Sequence, residues 1–427
     1  MTGNRKYPSA NSLSRKTNQL LNQFWAGFII YIISYTLMIS GAVTPKVTYL
    51  QLLGLLIFII PAVRLIRFKI ENPYLRNIYI IYCGWMFFVI QRGFTFNTTY
   101  LFDKLTDCTF GLFLYLVPFV LLLPKDLIYL KKVINVILIL SVFHILCDLI
   151  FMKALLNADD ESGLSFLENF SRNLGIPCGF ILLTIGYQND KKKNRALFGR
   201  LWVLFVIILT LLLAIIRARR GLIFMSLNIL VVAYIMYNYA HRSSLFFKFF
   251  PLLILFCIYV YAGNKPNNKK SGTFSLITQR FDEDTRSGVV DYFYHDMTRN
   301  DWIIGKGIDG SYYCPSGATE DGYRGVIETD YLQIILKGGI ISLGLLLLIA
   351  IPAIFKGLFY SKNILSKAAA CWILLWLIAL FPATVTTFSL TYLLVWISIG
   401  ICYSKEIRNM PENLVKEYFQ YKLFARK

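Results

Sequence analysis

Residues 331–355 read YLQIILKGGIISLGLLLLIAIPAIF, and Lys337 is the single charged residue among them. A helix of roughly 17 to 25 mainly apolar residues matches the hydrocarbon thickness of a bilayer. Similar stretches recur along the chain: of 427 residues, 56% are hydrophobic and 16% are charged, with a mean hydropathy of +0.56. This composition excludes an ordinary soluble enzyme and a disordered chain. We therefore predict an all-α, polytopic membrane protein.

Apolar stretches of this kind predict a bundle of about twelve transmembrane helices. The nine that precede the long polar loop lie within 1–262, and the loop itself covers 263–330, where the order of aromatic and charged residues suggests short helices. Three more spans lie within 331–403, and the tail 404–427 alternates apolar and charged residues as a surface amphipathic helix does. The predicted spans are 21–40, 47–63, 77–91, 107–123, 133–151, 173–188, 199–216, 222–240, 246–262, 331–355, 368–385 and 388–403.

Basic residues outnumber acidic ones by 44 to 24, a formal charge of +20. In a soluble protein such an excess suggests nucleic-acid binding, but in a membrane protein the distribution over the loops decides its meaning. If both termini are cytoplasmic, the cytoplasmic segments hold the excess and the external segments balance, as the positive-inside rule requires. We therefore expect this orientation and no nucleic-acid partner.

Three arginines break the charge rule at the external boundary between the seventh and eighth spans, in Arg217-Ala218-Arg219-Arg220-Gly221. Arginine presents a fixed fork of donors that suits phosphate oxygens better than the point charge of a lysine. The cluster therefore predicts a site for a lipid-linked phosphate or diphosphate. The alternatives are that the arginines reach lipid headgroups or that the topology is inverted locally.

Two carboxylates, Glu328 and Asp330, stand at the end of the long loop, directly before the tenth span. A carboxylate at the membrane boundary is suitably placed to act as general base for a sugar hydroxyl. Acidic residues before a helix are also common caps, so spacing alone leaves both interpretations open.

Further arginines and glycines lie within the loop. Arg286 precedes a segment in which Gly305 and Gly307 predict a turn that returns the chain to the membrane. Arg286 and Arg324 are candidate phosphate ligands, although a solvated loop charge is the alternative for either of them.

Ionisable and metal-binding residues elsewhere give weaker signals. Seven of the eight cysteines lie in or beside apolar stretches without metal-ligand spacing, so we expect no metal, no cofactor and no disulfide framework. His144 and Asp148 share a helix face in the fifth span, and we interpret Asp148 as hydrated at the external end. His295 is expected at the surface.

Several of these motifs together resemble the O-antigen ligase and Wzy-type O-antigen polymerase superfamily over roughly residues 200–350. The resemblance rests on Arg220-Gly221 at the external start of a span, the long loop with Arg286, and the turn 302–307, Trp-Ile-Ile-Gly-Lys-Gly. It also rests on 328–341, which is similar to that family's His-Asn-x-x-Leu-x-x-x-x-x-x-Gly start of the span after the loop.

The resemblance implies a helical membrane glycosyltransferase of the bacterial inner membrane with its active site facing the periplasm. Such enzymes use undecaprenyl-diphosphate-linked oligosaccharides and a glycan acceptor, without metal or nucleotide, and arginines hold the diphosphate. Arg220 matches the arginine at the span start and Arg286 the loop arginine, while Arg217 and Arg219 are helpers without an assigned role. Glu328 stands where ligases carry a histidine, which favours a polymerase, with a chain-length regulator protein as a possible partner.

The alternative activities are a ligase that transfers the glycan to lipid A-core and, in a different class, a flippase or transporter of lipid-linked saccharide. A transporter predicts charges deep in several spans and short loops, whereas this chain gathers its polar groups at one face. Transfer chemistry predicts a single displacement with inversion, in which Glu328 or Asp330 accepts the proton of the attacking hydroxyl.

Overall fold

The structure, a computed structural model, describes residues 15–41, 47–157, 160–184, 193–241, 287–315 and 322–420. Over these residues the chain is helical apart from one two-stranded antiparallel hairpin. The helices are α1 (Arg15–Ile39), α2 (Val47–Leu65), α3 (Pro73–Gln91), α4 (Thr98–Thr106), α5 (Leu112–Leu116), α6 (Leu127–Ile150), α7 (Met152–Leu156), α8 (Glu161–Phe170), α9 (Cys178–Leu183), α10 (Lys193–Ile216), α11 (Arg220–His241), α12 (Ser287–Asp296), α13 (Arg299–Ile304), α14 (Asp330–Phe359), α15 (Ile364–Ala379), α16 (Leu390–Tyr403), α17 (Lys405–Asn409) and α18 (Glu412–Gln420); the strands are β1 (Tyr312–Tyr313) and β2 (Tyr323–Arg324).

Among the described residues, five helices are long and apolar enough to cross a membrane: α1, α2, α6, α11 and α14. The all-α class and the membrane-spanning character agree with the sequence prediction, whereas the count of twelve spans is not established. Shorter apolar helices occupy 112–122, 201–216, 364–379 and 390–403. The predicted ninth span, 246–262, lies outside the described residues.

Three predicted spans are not continuous helices over their described residues; one of them, 368–385, is helical only to Ala379. Residues 107–123 contain α5 and a 3₁₀ helix, Val117–Leu122, and residues 173–188 contain part of a π helix, Ser171–Gly175, followed by α9. Pro118 lies at the start of the 3₁₀ helix and Pro177 directly before α9. A proline has no N–H to donate and its ring clashes with the preceding turn, so an apolar run with an internal proline often breaks.

Helix α16 lies at the centre of the bundle, because every residue from Leu390 to Tyr403 is buried. A helix that is apolar all round is a core helix in a large bundle. It packs against α14, α15, the 3₁₀ helix and the π helix. The connection 380–389 that leads into α16 therefore lies in the middle of one end of the bundle.

The starts of α11 and α14 and the end of α15 all lie at this connection. The backbone N–H of Asp330, at the start of α14, donates to the carbonyl of Leu380, just after α15 (3.0 Å). Gly221, at the start of α11, lies against Ala383. We call this the site end of the bundle. At the opposite end, beyond α14 and before α15, the N–H of Lys362 donates to the carbonyl of Arg408 (2.8 Å).

The long loop docks on α14 through a glycine-built contact. Helix α14 is broken at Gly339, which has φ 68°, and the freed carbonyls of Leu336 and Lys337 accept the N–H groups of Lys306 (2.7 Å) and Gly307 (2.9 Å). Gly305 also has a positive φ, 72°, and a side chain there would overlap the backbone of Lys337. The predicted turn at Gly305 and Gly307 is present and brings the loop back onto α14, and the predicted short helices of the loop are α12 and α13.

Candidate functional site

The arginine corner between α10 and α11 is built on a left-handed residue. Ala218 has φ 52°, and the N–H groups of Ala218 and Arg219 donate back to the carbonyls of Ile215 (3.1 Å) and Ala214 (2.9 Å). These two bonds are the Schellman pattern, which ends a helix and reverses the chain. The turn therefore separates Arg217, at the end of α10, from Arg219 and Arg220, which lead into α11.

Arg217 points inward. It is 4% exposed, and its guanidinium donates to the carbonyls of Asn157 and Asp160, in the connection between α7 and α8. Asp160 caps α8 by accepting from the N–H of Ser162 (2.9 Å), and a hydrogen bond from the Ser162 hydroxyl lowers the pKa of this carboxyl. Arg217 thus holds a neighbouring loop in place.

Arg219 and Arg172 share one carboxylate. Glu168, in α8, lies 3.8 Å from Nη2 of Arg219 and 3.5 Å from Nη2 of Arg172, and all three side chains are partly exposed. Arg220, the first residue of α11, is half-buried. We call Arg172, Arg219, Arg220 and Glu168 the arginine cluster. Sequence reasoning missed Arg172, because a single arginine in an external loop that also holds acids gives no signal of its own.

Asp330 is buried and has structural contacts. Its Oδ2 accepts the backbone N–H groups of Val385 and Thr386, both at 2.6 Å, which fixes the connection 380–389 over the start of α14. These bonds hold a distant connection and do not cap α14, whose N-cap residue, Thr329, makes no side-chain hydrogen bond to the helix. The Oδ1 of Asp330 is buried and has no hydrogen-bond partner among the described residues. Asp330, Gln333 and Lys337 line a cavity of about 60 Å³.

Glu328 differs from Asp330 in being exposed. Its side chain is 53% accessible and lies 3.7 Å from Nη2 of Arg324, in β2. The neighbouring Tyr312, in β1, is buried, and burial raises the pKa of its phenol to about 12. The Tyr312 hydroxyl stays protonated at neutral pH and donates to the carbonyl of Val326 (3.2 Å). The hairpin thus presents a carboxylate beside a guanidinium.

The connection 380–389 links the two predicted clusters, although they are far apart in the sequence. It contacts α11 at Gly221 and is held by Asp330 at the start of α14. Just beyond it, the Thr391 hydroxyl donates to the backbone carbonyl of Arg172 (3.1 Å). The arginine cluster and Asp330 therefore lie at the same end of the bundle. Arg286 lies outside the described residues.

The pair in the fifth predicted span corrects the sequence interpretation. His144 and Asp148 are both fully buried, with Nε2 and Oδ2 3.3 Å apart and with the Thr210 hydroxyl 3.1 Å from Nε2. Hydration of Asp148 was the wrong interpretation, because the π helix covers the pair and places Gly175 against the imidazole. His295 is exposed, as predicted.

Chemically, the site end combines several guanidinium groups with few carboxylates, an arrangement that suits an anionic ligand. In the part of the chain that the structure describes, no three His, Cys, Asp or Glu side chains are grouped to hold a metal ion. Comparisons with protein families, with characterised proteins and with solved structures find no match to this chain. The resemblance carried by Arg220-Gly221, 302–307 and 328–341 stays a prediction.

Proposed function

We propose that the chain is a membrane glycosyltransferase that polymerises undecaprenyl-diphosphate-linked oligosaccharide repeat units at the periplasmic face of the bacterial inner membrane. The observation that carries the proposal is the shared end of the bundle: the arginine cluster and the carboxylate-bearing start of α14 meet across the connection 380–389. In this proposal both termini are cytoplasmic and a chain-length regulator is a partner.

The arginine cluster is proposed to bind the donor diphosphate. Arg219 and Arg172 face a single glutamate, Glu168, at distances longer than an ideal charged hydrogen bond. A diphosphate offers more acceptor oxygens than that carboxylate, so it competes effectively for both guanidinium groups. Their fixed charge would stabilise the negative charge that develops on the leaving diphosphate. Arg220 and Arg286 complete the proposed set, and Arg217 is a positioning residue because its donors already hold a loop.

Glu328 is the proposed general base. Glu328 is exposed, whereas Asp330 is buried and its Oδ2 already accepts the backbone N–H groups of Val385 and Thr386. The acceptor hydroxyl attacks the anomeric carbon, the bond from that carbon to the diphosphate oxygen breaks, and Glu328 accepts the hydroxyl proton. One displacement inverts the anomeric centre. Arg324 would orient Glu328 and contact the donor.

One observation favours a second class of function. The buried His144–Asp148 pair lies within α6, a membrane-spanning candidate, and ionisable groups there often serve proton-linked transport. A flippase of lipid-linked saccharide is therefore the second candidate. We propose glycosyl transfer ahead of flipping because the site end has a docked loop and an exposed carboxylate, Glu328.

The test is reconstitution of the purified protein in liposomes with an undecaprenyl-diphosphate-linked repeat unit, followed by gel analysis of the products. A ladder of lengths supports the polymerase, and a single transfer that requires lipid A-core assigns a ligase instead. Donor that crosses the bilayer unchanged assigns a flippase. Asp148→Asn separates the classes, because we expect it to block transport and to leave glycosyl transfer intact.

A further inference from the structure

A second polar cavity, of about 630 Å³, lies at the end of the bundle opposite to the arginine cluster. It is bounded by the end of α11, the connection from α14 to α15, and α18. The described residues that matter for its chemistry are Tyr239, Lys362, Asn363, Lys367, Glu412 and Lys416. Nothing in the proposed transfer reaction uses any of them.

The cavity is basic. Three lysines from three different segments line it against one glutamate among the described residues, and Glu412 is already engaged: one oxygen accepts the N–H of Ile364 (2.8 Å) and the other lies 3.6 Å from Nζ of Lys416. The Lys367 ammonium contacts the Tyr239 hydroxyl, and Lys362 is exposed. The described lining therefore carries an excess of positive charge that faces an open space.

The walls of the cavity are fixed by the fold. The Asn363 amide donates to the carbonyls of Ile407 (2.7 Å) and Met410 (3.1 Å), and its side-chain oxygen caps α15 at Ser366 (2.9 Å). These bonds attach the segment around α17 to the start of α15. The lysines are thus presented by a built framework rather than by a free tail.

The helices place this cavity at the other membrane face. Helices α11 and α14 begin at the site end and finish at the cavity, and α15 runs back from the cavity to the site end. At 1.5 Å per residue, α15 alone separates the two by about 24 Å. Beside the cavity, Ile235 and Tyr239 of α11 are 58% and 61% exposed, so an apolar surface leads from the basic lining along the bundle toward the bilayer interior.

We propose that this cavity binds the phosphate group of an anionic lipid headgroup, with the acyl chains along the exposed face of α11. Basic pockets between membrane helices at the cytoplasmic side bind anionic headgroups, and the volume lies in the range of ordinary ligand pockets. A free phosphate ion would satisfy the lysines equally well but would leave the adjoining apolar face unused. The proposal rests on the proposed orientation of the chain, with this end cytoplasmic, and does not depend on the reaction at the site end.

The experiment measures binding of phosphatidylglycerol to the full-length protein in detergent by native mass spectrometry, with phosphatidylcholine and inorganic phosphate as separate ligands. The wild type should retain phosphatidylglycerol and discriminate against phosphatidylcholine. Each of Lys362→Gln, Lys367→Gln and Lys416→Gln should weaken binding about fivefold, the factor for a charge worth about 1 kcal/mol at a membrane surface. Lys405→Gln, an exposed charge on α17 outside the cavity, is the matched control and should bind as the wild type.

Equal binding of phosphatidylglycerol by the wild type and all three single variants would overturn the proposal, as would equal binding of the two lipids by the wild type. Displacement of the bound lipid by inorganic phosphate at the same concentration would assign the cavity to a soluble phosphate compound instead. Each single variant changes one exposed or half-exposed side chain, so we expect it to fold as the wild type does. An unchanged melting temperature checks this.

Discussion

The two ends of the bundle use positive charge differently. At the site end, arginines are paired or turned inward: Arg217 donates to two carbonyls, and Arg219 and Arg172 share Glu168. At the opposite end, lysines surround an open cavity. Guanidinium groups hold a planar ligand in a defined direction, whereas ammonium groups act as point charges. The site end is therefore suited to orient an anionic group, and the opposite end to attract a charged lipid.

Replacing Gly305 by Ala disrupts the contact through which the long loop docks on α14. A β-carbon at φ 72° would overlap the backbone of Lys337 and Gly338, so we expect a loss of about 3 kcal/mol or more in the stability of the folded protein, with transfer abolished. The measurement is the melting temperature in detergent. Gly344→Ala, in α14 and next to open space, is the control. Equal melting temperatures for the two variants would contradict the docking of 304–308 on α14.

The double substitution Arg219→Gln and Arg220→Gln tests the proposed diphosphate contact. Loss of the charge that stabilises a leaving group commonly costs about 10² to 10³ in turnover, and we expect a loss of that size here. Phosphatidylglycerol binding at the opposite end should stay unchanged, which makes the same protein its own control. Wild-type transfer rates in a folded double variant would remove the arginines from the reaction.

Glu328→Gln and Asp330→Asn separate the two carboxylates. Removing a general base reduces turnover by about 10² to 10⁴, so Glu328→Gln should lower kcat with little change in donor affinity or melting temperature. Asp330→Asn should lower the melting temperature, because weakening the bonds to Val385 and Thr386 costs about 1 to 3 kcal/mol. The reverse pattern would make Asp330 the base and Glu328 a structural residue.

Arg217→Lys gives the smallest expected effect. An ammonium cannot reproduce the fork that reaches the carbonyls of Asn157 and Asp160 together, so stability should fall by about 1 to 3 kcal/mol. Donor affinity should change far less than in the Arg219 and Arg220 variant. Thermal unfolding and donor titration on the same preparation check both statements, and a larger loss of donor affinity than of stability would place Arg217 in the binding set.

Sequence patterns predicted the helices better than the contacts between them. Apolar runs predict α6 and α14, because a segment that crosses a bilayer needs a long apolar helix. The arginines at 217–220 are conspicuous because charges are rare in such segments. Pro118 and Pro177 indicate that a helix can break near them. They do not predict that the neighbouring residues form a 3₁₀ helix and a π helix.

Long-range partners left no local signal in the sequence. Asp330 accepts hydrogen bonds from the backbone N–H groups of Val385 and Thr386, which are distant in the sequence. Backbone donors of this kind cannot be predicted from residue type. His144 lies near the end of a span, and its burial depends on the π helix, which places Gly175 against the imidazole. Arg172 lies in this π helix, which places it beside Glu168. Residue spacing alone does not predict that position.

The central claim is that the site end cleaves the bond between glycan and lipid diphosphate. The most direct measurement is release of undecaprenyl diphosphate from a reconstituted lipid-linked repeat unit, compared between the wild type, the Arg219 and Arg220 double variant, and Glu328→Gln. We expect release by the wild type, weakened donor binding in the double variant, and retained binding with slow release in Glu328→Gln. Intact donor after incubation with the folded wild-type protein and either acceptor would contradict the central claim.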